Sequence, residues 1–453
     1  MISPLDSRVL DANSESLGVE VDVLMANAGE ALADVITDLY SGKRILFVCG
    51  TGNNGGDGYV AARLLEEADV AFFKEPRTAP AMNAFRKLDN RPIQFDAKML
   101  DDYDVIIDCV LGTGVSGVVR EPYAGYIKAV NSSKKTVLSC DVPSGFGTDL
   151  VVRPDVTVTF HDVKEGMDER NCGSIIVTDI GIPSEAYDYI GRGDMIRYPV
   201  PDRDAHKGQN GRLLIIGGGP YTGAPSLAGM AALRVGTDLV HIATPESSFQ
   251  TIASASPSFI VHKLPGDRLS SGSVDCLLKM SQDMDAVLIG PGLGTDESTK
   301  KAVMEFVGKC DRPMVVDADG ITALSGFVPR KGMVFTPHRG EYKVLAGDEA
   351  PEKAASDMGC VIVLKGPEDI ITDGNRTRKN RTGTPAMTVG GTGDVLAGTI
   401  AGLLAKGMSQ FDAGCLGTYI CGKAGERSFG EYSYGLLATD IVDNIARILR
   451  EEL

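Results

Sequence analysis

From residue 45 to about 180, short apolar runs alternate with stretches whose apolar residues recur at helical spacing. The runs are ILFVCG, VAFF, DVIIDCVLG, TVLSCDVP, VTVTF and SIIVTDIGIP. This alternation predicts a parallel sheet with crossover helices. Ahead of it, VDVLMANAGEALADVITDLY carries the helical period, so a helix precedes the first strand. The apolar rhythm lapses through SEAYDYIGRGDMIRYPVPDRDAHKGQNG, where prolines and charges cluster. It restarts with RLLIIGGG and continues through AVLIGPGLG, PMVVDADG, GMVFTPHRGE and VIVLKGPEDIITDG. The expected architecture is α/β throughout, divided into 1–198 and 199–453. The motifs of the two halves do not align, so no internal repeat is expected.

At 453 residues the chain is long enough for two full cores. Its 45 basic and 61 acidic residues give a net charge of −16, spread without long blocks. That disfavours nucleic acid and anionic membranes as partners, and leaves phosphate binding to glycine-rich turns and helix N-termini. The nine cysteines are scattered with no C-x-x-C pair, the pattern of buried, reduced thiols. MISPLDSRVLDANSESLG has neither the basic start nor the apolar core of a signal peptide, and no apolar run reaches bilayer length. A cytoplasmic enzyme is expected.

The stretch FVCGTGNNGGDGYVAAR follows an apolar run, and Gly50, Gly52 and Gly55 fit the dinucleotide turn, with Asp69 placed as a ribose-binding acid. A dehydrogenase is the first reading. Asn53, Asn54 and Asp57 argue against it, since a carboxylate facing pyrophosphate is repulsive unless a cation or a nest of N–H groups compensates. Asp108 ends another strand, before a turn built on Gly112, Gly114 and Gly117; Asp141 and Ser144 do the same in VLSCDVPSG. Converging Asn, Asp and Ser oxygens suit a hard cation beside a sugar-phosphate ligand. Helix capping is the alternative for any one of these Asp residues.

GTGNNGGDGYVAARLL, DCVLGTGVSG, DVPSG, VTVTF and VTDIGIP, in that order, resemble the NAD(P)H-hydrate epimerase domain. The resemblance implies a Rossmann-like three-layer fold and interconversion of the R and S hydrates of NADH and NADPH. It implies potassium held by Asn54, Asp108 and Ser144. It also implies hydrate contacts from Asn53, Asn54, Gly55, Gly56 and Asp57, from the turn Gly112, Thr113, Gly114, Val115, Ser116, Gly117 and Val118, and from Asp141. Asp141 is the expected acid/base.

In the second half, MTVGGTGDVLAGTIAGLLAKG joins a glycine turn to a helix of small residues, placing Asp394 in the first turn with free N–H groups around it. The arrangement offers an anion hole and a base in one place, with an ordinary capped helix as the alternative. GGTGDVLAG, GGGPYTGAPSLAGMAALRVGTDLV, IGPGLG, VVDADG, TPHRGE and LKGPEDIITDG resemble the ADP-dependent NAD(P)H-hydrate dehydratases of the ribokinase-like superfamily. The resemblance implies a ribokinase-like α/β domain with ADP as co-substrate. Ala224, Gly292, His338 and Asp394 would contact the hydrate. Lys365, Gly366, Pro367, Glu368, Asp369 and Gly393 would contact the nucleotide. Asp394 is the expected catalytic base, and magnesium the expected companion of the nucleotide. His338 is expected to position rather than react. A homo-oligomer is expected, with small-residue helices such as AGMAALRVG packing either between copies or internally. The competing reading is a small-molecule kinase of the ribokinase superfamily fused to a non-catalytic Rossmann-like binding or scaffolding domain.

Overall fold

The computed structural model describes residues 1–89, 92–115, 117–327, 329 and 331–453. The chain forms two compact units, Met1–Ala186 and Tyr187–Leu453.

The first unit is built on a seven-stranded parallel sheet. Its strands are β1 (Ile45–Cys49), β2 (Ala68–Phe72), β3 (Ile93–Gln94), β4 (Val105–Cys109), β5 (Thr136–Cys140), β6 (Val156–Phe160) and β7 (Ser174–Thr178). The order β3-β2-β1-β4-β5-β6-β7 is doubly wound, with the direction of winding reversing between β1 and β4. β1 and β4 are buried at every position because helices cover both faces, which explains their unbroken apolar runs. Cys49, Cys109 and Cys140 end β1, β4 and β5 and are wholly buried free thiols.

Two helices precede the sheet, α1 (Pro4–Ser16) and α2 (Val21–Tyr40). α2 is the helix anticipated ahead of the first strand; α1 starts at a Ser3–Asp6 capping box. The chain start is fastened far along the sequence: Ile2 N–H donates to Val163 O and Glu165 N–H to Ile2 O, each at 2.9 Å. After β1, α3 (Asn53–Arg63) begins on glycines. A Cβ at Gly55 would lie 2.3 Å from Gly50 O, and one at Gly58 2.7 Å from Cys109 Sγ. The low helix propensity of glycine is tolerated because only glycine lets the helix sit this close to the strand tips.

The second unit has a nine-stranded sheet. It comprises β8 (Arg212–Ile216), β9 (Leu239–Pro245), β10 (Phe259–Leu264), β11 (Ala286–Ile289), β12 (Met314–Val316), β13 (Met333–Phe335), β14 (Val361–Leu364), β15 (Asp369–Thr372) and β16 (Thr377–Asn380). The order is β10-β9-β8-β11-β12-β13-β14-β15-β16, parallel up to β14 and antiparallel beyond it. Winding reverses between β8 and β11. Ile190, Met195 and Tyr198 join this unit's core, and Tyr189 bridges to Lys379. The small-residue helix α4 (Gly223–Arg234) packs internally: a Cβ at Gly398 would lie 2.2 Å from Ala228 O. No helix among the described residues is long and apolar enough to cross a membrane.

Candidate functional sites

At the reversal point of the first sheet, the loops after β1, β4, β5 and β6 surround a cavity of about 470 Å³, with α1 and α2 forming its other wall. This is the size range of a small-molecule site. Asn53, Asn54, Asp57, Gly112, Thr113, Gly114, Val115 and Asp141 all line it. Gly55 and Gly56 lie buried in the first turn of α3 and are not on the lining. Gly117 and Val118 are also off the lining, and Val118 is 71 % exposed. Ser116 lies outside the described residues. Asp69 is exposed in mid-strand, where it accepts a hydrogen bond from Tyr103, so the ribose-binding acid of the dehydrogenase reading does not face the loop.

Below the cavity lies a buried polar network. Asp108 Oδ1 accepts hydroxyl bonds from Ser144 at 2.6 Å and Tyr126 at 3.0 Å; Oδ2 accepts the Ser139 hydroxyl at 2.9 Å and the Ser144 N–H at 2.8 Å. Burial pushes the Asp108 carboxyl up while these bonds pull it back. Ser144 Oγ also accepts the Leu111 N–H at 2.8 Å, which ties it to the turn at Gly112. Asn54 stands against the same turn, since a Cβ on Gly112 would be 3.4 Å from Asn54 Cβ. Both polar atoms of the Asn54 amide are buried without a partner. Buried polar groups are seldom orphaned, and a bare amide oxygen against the turn that Ser144 ties down fits a hard monovalent cation.

Inside the cavity the charges are arranged unevenly. Lys164 is 1 % exposed and spends its three donors on Asp141 Oδ1, on Thr159 Oγ1 at 2.9 Å and on Phe160 O at 2.8 Å. Asp141 has φ +61° and His161, also on the lining, φ +76°. Left-handed backbone on non-glycine residues is costly and clusters where a side chain must be aimed. Burial, followed by the charges of Asp141 and Asp11, pushes the Asp57 carboxyl well above its ordinary range. Burial and then Asp141 push Asp11, on α1, to about 6, against the opposing pull of Lys164. His161 is pushed down by burial and by Lys164. Lys164, Asp11 and His161 were not singled out from sequence. The first two come together only through tertiary contact, whereas His161 and Lys164 follow an apolar strand, where ligand residues of parallel sheets collect.

In the second unit, α6 (Thr392–Ala405) starts at Gly391, whose φ is +95°. Burial first, then Asp317, push Asp394 to about 7, with Lys365 pulling the other way. Lys365 Nζ lies 3.1 Å from Asp317 Oδ1 and 3.8 Å from Glu341 Oε2. Burial works against its charge, but these carboxylates outweigh it and hold Lys365 above its ordinary value. A Cβ on Gly393 would be 3.5 Å from Lys365 Nζ, so the ammonium faces the start of α6. Asp317 is 2 % exposed and also accepts the Thr336 hydroxyl at 2.7 Å. Asp319 accepts the Gly294 N–H at 2.8 Å. These carboxylates end strands quoted among the sequence motifs, but nothing in their spacing marks them as Asp394's neighbours.

His338 caps α5 (Arg339–Ala346): Nδ1 accepts the N–H groups of Gly340 at 3.0 Å and Glu341 at 3.1 Å. Gly292, with φ +69°, packs on the Tyr221 backbone, and Ala224 lies in the first turn of α4. Past Lys365 the chain turns through Gly366 and Pro367, and Gly366 N–H donates to Asp369 Oδ1 at 3.0 Å. Asp369 also accepts from Asn380, while Glu368 pairs with Tyr189 and Lys379. Among the described residues no three His, Cys, Asp or Glu side chains are grouped to hold a metal.

Residues 213–447 match the NAD(P)H-hydrate dehydratase family and residues 21–166 the family described as YjeF-related protein N-terminus. The bifunctional NAD(P)H-hydrate repair enzyme Nnr of Pyrobaculum aerophilum is 41 % identical, covering 99 % of this chain and 98 % of that protein. Its namesake from Archaeoglobus fulgidus is 40 % identical over 98 % and 97 %. The ADP/ATP-dependent NAD(P)H-hydrate dehydratase of Bacillus subtilis, co-crystallized with ATP and Mg2+, superposes with TM-score 0.51 at 28 % identity, over 59 % of this chain and 99 % of that one.

Proposed function

The chain belongs to the bifunctional NAD(P)H-hydrate repair enzymes, and we propose how its two sites divide the work. The first unit interconverts the R and S hydrates of NADH and NADPH. The second dehydrates the S hydrate to NAD(P)H at the expense of ADP, giving AMP and phosphate. The observation that carries the reading is Asp394, held near neutrality at the start of a glycine-capped helix and facing a lysine.

Hydroxide is a poor leaving group, whereas phosphate is a good one. Asp394 takes the proton of the hydrate hydroxyl as its oxygen attacks the terminal phosphoryl group of ADP, and AMP departs. Lys365 and the N–H groups at Gly393 stabilise the charge on the transferring group. The ring nitrogen then expels phosphate, and loss of a proton from the neighbouring carbon completes NAD(P)H. Ala224, Gly292 and His338 hold the hydrate. Gly366, Pro367, Glu368 and Asp369 form the nucleotide edge, where a magnesium ion would accompany the phosphates.

In the first unit, Asn53, Asn54 and Asp57, the turn residues Gly112, Thr113, Gly114 and Val115, and Asp141 bind the hydrate, with Asp141 at the reacting carbon. Asn54, Asp108 and Ser144 would hold a potassium ion, which supplies positive charge beneath an anionic ligand in a protein of net charge −16. The orphaned Asn54 amide supports this. A homo-oligomer working in the cytoplasm, without nucleic-acid or membrane partners, completes the proposal.

The test is to mix the full chain with R and S hydrates of NADH and ADP and follow the return of reduced-nicotinamide absorbance. Recovery of both epimers is expected. Recovery of S alone would overturn the role of the first unit, and recovery of neither would favour a kinase fused to a binding domain.

A further inference from the structure

Three carboxylates enter the first cavity from three elements: Asp11 from α1, Asp57 from α3 and Asp141 after β5. Their surroundings differ. Asp141 is committed to the ammonium of Lys164, which is itself buried. Asp11 and Asp57 make no hydrogen bond or ion pair among the described residues. Carboxylates in one site whose environments diverge are suited to opposite proton roles. Asp57 sits on the buried N-terminal part of α3, past its first turn, whereas Asp11 is only half-buried on a cavity-facing helix.

Resting on the epimerase reading of this unit, we propose that Asp11 is the acid that protonates the departing hydroxyl, and that Lys164 is the positioning residue that keeps Asp141 as the carboxylate facing the cation left behind. The carbon–oxygen bond breaks with its electron pair going to oxygen. The Asp11 proton joins that oxygen to form water, and the lone pair of the ring nitrogen forms the C=N bond. Water then adds to the opposite face of that carbon, the C=N pair returns to nitrogen, and the surplus proton goes back to Asp11. Atoms and charge are restored, and only the configuration has changed.

The groups that face Asp11 support this assignment. Asp141 and Asp57 oppose its ionisation, Lys164 favours it, His161 stands on the same lining, and Arg8 lies one turn away on α1. With burial, the balance places Asp11 at about 6. A proton held there is retained by an appreciable fraction of molecules at neutral pH and is readily given up, as general acid catalysis requires.

The experiment compares wild type, Asp11→Asn and Asp11→Glu as full chains, following conversion of the purified R hydrate of NADH to S by chromatography above the uncatalysed rate. Asp11→Asn is expected to lower kcat about 100-fold with KM within about threefold, and Asp11→Glu to recover most of the loss. In wild type kcat/KM should fall as pH rises through about 6, and Asp11→Asn should lack this limb. An Asp11→Asn enzyme with wild-type rate, or one retaining the limb, would overturn the assignment alone. A wild type that does not interconvert the epimers would overturn the epimerase reading, and the assignment with it.

Discussion

Lys365 Nζ lies 3.1 Å from Oδ1 of Asp317, and the same ammonium faces the helix start that carries Asp394. One cation therefore stands among Asp317, Glu341 and Asp394, and burial, followed by the charge of Asp317, pushes Asp394 up to about 7 against its pull. As a base, Asp394 works deprotonated. Dehydration of the S hydrate should rise with pH and level off above about 7. Removing the positive charge in Lys365→Met should raise Asp394 further and move that limb to higher pH; an unmoved limb would contradict the arrangement.

Asp394→Ala should lower the dehydration rate by a factor on the order of 10³ while leaving conversion of R to S hydrate untouched. Separate assays of the two steps on one preparation check this. A protein that dehydrates normally would remove Asp394 from the chemistry.

Lys164→Met leaves Asp141 without its ammonium partner inside the first unit. Breaking a buried pair from one side costs about 3–5 kcal/mol, toward the lower end here because Asp141 is 19 % exposed. Calorimetry should show earlier unfolding of the first unit and an unchanged second unit, together with loss of epimerisation.

Asp11 titrates at about 6 when folded, against an ordinary value of 3.8. Between those pH values the folded state binds more protons, so stability declines as pH rises through the window and stays lower above it. Asp11→Asn should therefore unfold at a higher temperature than wild type at pH 7.5, with the advantage gone near pH 4. The same substitution that raises stability should abolish the acid, a trade-off expected where a group whose charge is disfavoured by burial and a neighbouring carboxylate does chemistry.

Gly55→Ala would drive a methyl group to 2.3 Å from the Gly50 carbonyl, a backbone atom that cannot swing aside. A cost of roughly 1–3 kcal/mol, and an unfolding midpoint lower by several degrees, is expected. An unchanged midpoint would mean that the turn after β1 is looser than its contacts imply.

The strands were legible because buried parallel strands are written as unbroken apolar runs, and ILFVCG, VIIDC and RLLII needed no other signal. Much of the lining was legible too: Asn53, Asn54, Asp57 and Asp141 follow strand ends and carry polar atoms where glycines make room. The two-residue β3 is too short to leave a pattern. α1 leaves little trace in the sequence because its spacing is only weakly amphipathic and its docking depends on a bridge to Ile2 from residues 163–165. Asp11 and Lys164 meet through that same distant contact, so no local window of sequence could pair them.

That bridge also sets an order of events during synthesis. Ile2 pairs with residues 163–165, so α1 cannot dock until the chain beyond β6 has followed it. Loop-closing contacts of this span form late. The helix bearing Asp11 is thus made before the sheet but settles after it, and the pocket stays open on that side until the sheet is complete.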